Sequence, residues 1–125
     1  MRDDKHVILY VDDDEDYRLV IRQILEAAGY EMVEASDGEE GLRTLREQQP
    51  DLVLLDLMME EVDAGIALLK QIRAVNTSLP IYLLSSVGDT LAMTTSTAEL
   101  GLDGVFQKPI EAERLIAVIR AKLDP

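Results

Sequence analysis

Residues 6–18 read HVILYVDDDEDYR, and the way this stretch divides decides the fold. Val7 to Val11 form an unbroken apolar run, and five acids follow at once: Asp12, Asp13, Asp14, Glu15 and Asp16. A short apolar run that is continuous rather than alternating suits a strand buried on both faces, as in a parallel sheet. Adjacent negative charges repel one another. Either the acidic run is a solvated loop that tolerates its charge, or some of its members hold a cation. The last three acids stand where a helix opens, and the partial positive charge of a helix N-terminus favours them there. Tyr17, Ile21, Ile24, Leu25 and Ala28 then make one apolar stripe, with Gly29 as the C-terminal stop.

The same alternation continues along the chain. Residues 52–55 and 81–84 are continuous apolar runs like the first. Residues 31–35, EMVEA, are more polar and suit an edge strand, and 104–107, GVFQ, form a short last strand before Lys108-Pro109. Helical periods lie between. Ser36 with Glu39 resembles a capping box opening a helix that carries Leu42 and Leu45, and Pro50 follows it. Ile66, Leu69, Ile72 and Val75 give a third helix, with Pro80 beyond. A fourth spans roughly 89–100, rich in threonine, a poor helix former, and Gly101 is its stop. Leu115, Ile119 and Leu123, with Ile116 beside them, mark the last helix. The order βαβαβαβαβα, with right-handed crossovers, predicts an α/β, doubly wound (βα)5 three-layer sandwich around a five-stranded parallel sheet.

Composition bounds the possibilities. A chain of 125 residues is read as one domain, residues 1–125, with no output domain. At this size roughly two-thirds of the unfolded surface is buried, enough for a real core. Lys and Arg number 12 against 25 Asp and Glu, a net charge of −13, which argues against nucleic-acid partners and anionic membranes. There is no cysteine, hence neither a disulfide framework nor a thiolate metal site. The start MRDDKH shows no signal-peptide pattern and no apolar run approaches membrane-spanning length, so a cytoplasmic location is the expectation. His6, the one histidine, lies at the opposite end of its strand from Asp12 and is read as having no chemistry.

Ligands of doubly wound sheets bind beyond the carboxyl ends of the strands. The first strand delivers Asp12, Asp13 and Asp14 there. The second delivers Ser36 and Asp37, the third Asp56, the fourth Ser85 and Ser86, and the fifth Lys108 and Pro109. Oxygen ligands without histidine or cysteine favour a hard cation, Mg2+ above all. Carboxylates about 4 Å apart repel by roughly 1 kcal/mol per pair in water and about 4 kcal/mol at an intermediate dielectric, and a divalent ion relieves that. A carboxylate beside Mg2+, with Lys and Ser donors opposite, is equipped for phosphoryl transfer. Asp56 is the best nucleophile, because it ends a strand alone with the neighbouring strand's acids around it.

Together these features resemble the receiver domain of bacterial two-component response regulators, of the chemotaxis-regulator type. The likeness runs from VILYVDDDEDYR through DLVLLDLMMEEVDAG and PIYLLSS to DGVFQKPI. It implies a flavodoxin-like strand order 2-1-3-4-5. It also implies a phosphorylation-dependent switch in which Asp56 accepts a phosphoryl group from a sensor histidine kinase or phosphotransfer protein. Asp12 and Asp13 match the family's acidic pair, with Asp13 as the direct Mg2+ ligand and Asp12 acting partly through water. Asp56 and the backbone carbonyl of Met58 complete the metal shell. Ser85 matches the hydroxyl that hydrogen-bonds the phosphoryl group, with Ser86 following it, and Lys108 pairs with the phosphoryl oxygens. Pro109 matches a proline whose preceding bond is typically cis. Such a protein is no conventional enzyme: it catalyses only its own phosphotransfer and dephosphorylation. As a monomer or weak dimer, it passes its signal to a downstream protein.

Departures from the family's pattern bear on the output. After the acceptor the family reads D-x-x-M-P-x-M-D-G; here Met59 is kept, Glu60 replaces the proline, and Val62-Asp63-Ala64-Gly65 stands one residue further on. Glu60 and Glu61 are read as facing solvent. Val105 occupies the usual aromatic position three before Lys108, with Phe106 on the alternate side of the strand. The Ser85–Lys108 spacing is about one residue longer than the family's, which points to an atypical segment between them. An aspartyl-phosphate phosphohydrolase of the haloacid-dehalogenase type needs a second Asp two residues after the nucleophile, where this chain has Met58. A receiver-like binding module that is never phosphorylated is disfavoured by the intact set Asp12, Asp13, Asp56, Ser85 and Lys108, although the Glu60 loop keeps it in play.

Overall fold

The computed structural model describes residues 5–56, 62–85 and 103–124, with side chains in the third helix from Ala67 onward. Five strands, β1 (Val7–Val11), β2 (Glu31–Ala35), β3 (Leu52–Asp56), β4 (Ile81–Ser85) and β5 (Gly104–Gln107), pair in parallel in the order β2-β1-β3-β4-β5. Four helices are described: α1 (Glu15–Ala27), α2 (Gly38–Gln48), α3 (Val62–Val75) and α4 (Ala112–Leu123). The expected helix at 89–100, with Gly101, lies outside the described residues, as do Met58, Met59, Glu60, Glu61 and Ser86.

The continuous apolar runs are the central strands. Every residue of β1, β3 and β4 is buried. The more polar β2 takes the edge, beside β1. The core falls into two clusters, one on each face of the sheet. Leu9, Val11, Val53, Leu55 and Leu83 meet Leu45 of α2 and Leu68, Leu69 and Ile72 of α3. Ile8, Tyr10, Leu52, Leu54 and Leu84 meet Ile21 and Leu25 of α1 and Leu115 and Ile119 of α4. Full burial of such a side chain contributes roughly 1.5–3 kcal/mol, and this two-sided covering is what holds the sheet's ends in place. In β5 the pleat sends Val105 to the first cluster and Phe106 to the second, where Phe106 packs on Tyr82 with ring centroids 5.6 Å apart.

The helix ends refine the sequence reading. Asp14 caps α1, its Oδ1 accepting from the amides of Asp16 and Tyr17, and α1 closes at Gly29, whose φ of +92° suits a residue without Cβ. The capping box of α2 is displaced by one residue from the expected Ser36–Glu39 pair. Asp37 is the cap and accepts from the amide of Glu40 at 2.8 Å, while the Glu40 carboxylate reaches back to the Ser36 hydroxyl at 2.8 Å. Asp competes well with Ser for this role, and here it sits one residue nearer the helix. Val75, expected on the α3 stripe, is 58% exposed; it is the helix's last residue, and the buried stripe ends one turn earlier at Ile72.

Candidate functional site

Strand register assembles the site. Val11 of β1 lies opposite Leu55 of β3, so the next residues, Asp12 and Asp56, emerge side by side. Asp56 lies opposite Leu84 of β4, and Ser85 opposite Gln107 of β5, so Ser85 and Lys108 follow on the same rim. Asp12, Asp56 and Ser85 are the buried polar residues described in the core; each follows directly from an apolar run. Asp13, one residue beyond Asp12, is exposed.

One carboxylate oxygen from each of Asp12, Asp13 and Asp56 lies within 4.8 Å of the other two. This donor set is entirely hard oxygen, with one member open to solvent, and it fits a Mg2+-like cation. Lys108 closes the other side. Its Nζ stands 3.3 Å from Oδ2 of Asp12 and 3.3 Å from Oδ1 of Asp56, and 4.3 Å from the ring centroid of Tyr17. Burial pulls the Lys108 ammonium down, but Asp12 and Asp56 outweigh it and hold the group above the ordinary lysine range. The Lys108 amide donates to the Ser85 carbonyl at 2.7 Å, and the Lys108-Pro109 bond is cis. The Ile110 amide donates to the Tyr17 hydroxyl at 3.0 Å, fixing the chain just beyond Lys108.

Five residues singled out in the sequence, Asp12, Asp13, Asp56, Ser85 and Lys108, thus converge. Three more were missed. The Tyr10 hydroxyl donates to Oδ2 of Asp12, and burial, followed by Asp12 and Asp56, pushes its ionisation far above the ordinary tyrosine range. Period two in a strand puts Tyr10 and Asp12 on one face, a signal available in the sequence. Tyr17 shows in the sequence only as part of the apolar stripe of α1, yet its ring lies under Lys108 and its hydroxyl accepts from the Ile110 amide. Arg18 donates to the Asp12 carbonyl at 2.6 Å and to Glu34 at 2.6 Å, and nothing in a charged helix residue announces that reach.

Chemically, the rim offers a buried carboxylate with an ammonium 3.3 Å away and neighbouring acids able to hold a cation. That arrangement can receive and neutralise a phosphoryl group. A family model described as the response regulator receiver domain matches residues 8–120. The probable transcriptional regulator ycf27 of Guillardia theta is 39% identical over 119 residues, covering 95% of this chain and 46% of that protein. The chain spans about half the length of the curated relatives it matches. Among solved structures, NtrX from Brucella abortus superposes with a TM-score of 0.86 at 31% identity, covering 96% of this chain and 27% of that one. A putative response regulator from Chloroflexus aurantiacus gives 0.85 at 29% identity, covering 97% and 99%.

Proposed function

This chain belongs to the response regulator receiver family, the phosphorylatable switches of two-component signalling, and from that premise we propose that Asp56 is its phosphoryl acceptor. The observation that carries the proposal is the position of Asp56, buried at the strand end with Lys108 at 3.3 Å and Asp12 and Asp13 within cation-sharing distance. An Asp56 carboxylate oxygen attacks phosphorus of a phosphohistidine on a sensor kinase or phosphotransfer protein. The P–N bond breaks, and its electron pair leaves with the imidazole. Lys108 stays protonated and offsets charge on the phosphoryl oxygens. The Ser85 hydroxyl, on the adjoining strand end, donates to one of them.

Asp12, Asp13, Asp56 and the Met58 carbonyl would hold Mg2+, which when bound would supply positive charge to the phosphoryl oxygens alongside that of Lys108. Hydrolysis of the acyl phosphate resets the switch, and apart from this self-directed chemistry we read no enzyme activity. We read this domain as a cytoplasmic monomer or weak dimer that signals through protein contacts, and its net charge of −13 disfavours direct contact of this domain with nucleic acid or an anionic membrane. Among the described residues no helix is long and apolar enough to cross a membrane.

The test is acetyl phosphate, or beryllofluoride, with Mg2+. Wild type should gain one phosphoryl mass or bind the fluoride complex, and Asp56→Asn should do neither. A signal that survives Asp56→Asn would move the acceptor elsewhere.

A further inference from the structure

We propose that Tyr10 is a positioning residue for the acid cluster: its hydroxyl holds Asp12 against Lys108 and weakens the cluster's grip on a divalent cation. The inference rests on the reading of the cluster as a Mg2+ site.

Tyr10 is fully buried in the core cluster between the sheet and the α1 and α4 helices. A phenylalanine would fill that core space equally well, and a buried hydroxyl is costly without a partner. The partner is Oδ2 of Asp12, the same oxygen that Lys108 Nζ approaches at 3.3 Å. The other oxygen, Oδ1, accepts from the Asp14 amide at 2.9 Å. Asp12 therefore meets three protein donors, and both its oxygens are engaged from within the fold. Asp13 is exposed, so the two neighbouring acids present themselves differently to a cation.

A hydrogen bond to the charged form of a carboxylate draws off part of its charge. A cation arriving at the cluster meets an Asp12 already shared with Tyr10, Lys108 and Asp14. Removing the hydroxyl alone leaves the ring's packing and returns that share of charge to the site. Only the fraction of the hydrogen bond that weakens on metal binding enters the affinity, so the expected gain is about three- to tenfold.

The experiment compares Mg2+ titrations of wild type, Tyr10→Phe and Tyr82→Phe, read as melting temperature against Mg2+ concentration. Tyr82→Phe removes a buried-ring hydroxyl on β4 as a control. Tyr10→Phe should bind Mg2+ about three- to tenfold tighter, with Tyr82→Phe unchanged. Equal or weaker binding by Tyr10→Phe, in the presence of a normal wild-type response, overturns this inference alone. A wild type indifferent to Mg2+ overturns the metal-site reading and this one with it. A second readout does not depend on the variant folding. The chain has four tyrosines, so their 13Cζ NMR signals can be assigned in the wild type from Tyr17→Phe, Tyr30→Phe and Tyr82→Phe, leaving Tyr10 by elimination. The Tyr10 signal should move as Mg2+ is added, and a stationary signal overturns the proposal.

Discussion

The ammonium of Lys108 lies 3.3 Å from Oδ1 of Asp56, tying the end of β5 to the end of β3. Among the described residues it is the cation that both buried acids, Asp12 and Asp56, share. Stripping one partner from a buried pair costs about 3–5 kcal/mol when the remaining charge is wholly uncompensated. Here Tyr10 and the Asp14 amide still serve Asp12, so Lys108→Met should cost about 2 kcal/mol in metal-free buffer. Because the acids then repel without their cation, the Mg2+-induced rise in melting temperature should exceed that of wild type. Denaturant and thermal melts with and without Mg2+ test both. The sign with pH follows from the raised pKa. The pairing is fully present below the ordinary lysine range and fades only as pH climbs through the higher folded value, so the gap should be flat around neutrality.

Millimolar Mg2+ should raise the melting temperature of the wild type, because it relieves repulsion among Asp12, Asp13 and Asp56. Ten-fold saturation is worth about 1.4 kcal/mol by mass action. For a domain of this size that is a shift of about 5 °C. Asp13→Asn should abolish the shift, since Asp13 is the cluster's solvent-facing member. An unaltered Mg2+ response in Asp13→Asn would mean that the ion sits elsewhere.

Much of this was legible because burial and periodicity act on the same residues. β1, β3 and β4 are covered on both faces and so must be apolar throughout, while β2 at the edge can keep Glu31 and Glu34. A polar residue directly after such a run, as with Asp12 and Asp56, is conspicuous. Lys108 and Ser85 were harder to place singly and became readable only as a set. Tyr10 escaped because an aromatic in a buried strand satisfies the core reading completely, and its hydroxyl matters only through a partner two residues on. Arg18 escaped for the opposite reason: helix charges are usually solvated, and its partner Glu34 is remote in sequence. The shift of the α2 cap from Ser36 to Asp37 turned on one residue, a distinction that composition cannot make.

Gly104 opens β5 where a Cβ would stand 2.9 Å from both Cδ1 and Cε1 of Tyr82. Tyr82 is buried and packed on Phe106, so the ring has little room to withdraw. Gly104→Ala should therefore destabilise by about 1–3 kcal/mol through overpacking. In a Tyr82→Leu background most of that penalty should vanish. A double-mutant cycle from urea midpoints measures the coupling, and additive effects would show that the clash is not its source.

Glu34 on the edge strand binds two arginines of α1. Arg18 Nε lies 2.6 Å from its Oε2, and Arg22 Nη2 lies 2.6 Å from its Oε1. Arg18 also holds the Asp12 carbonyl, so this pair of contacts anchors the start of α1 beside the acid cluster. Burial alone would push the Glu34 carboxyl up, but Arg22 and Arg18 outweigh it and hold the group below the ordinary glutamate range. A depressed folded pKa means stability that is present above the unfolded value and lost as pH falls through the folded one. The Glu34 side chain is 38% exposed, so screening limits the effect, and Glu34→Gln should cost about 1 kcal/mol or less at neutral pH. As the buffer is acidified, the wild-type carboxylate protonates and the two proteins should converge. Urea melts of both from neutral to acid pH test this. A gap that stays constant through the acid range would show that packing, rather than the ionised carboxylate, holds α1 to β2.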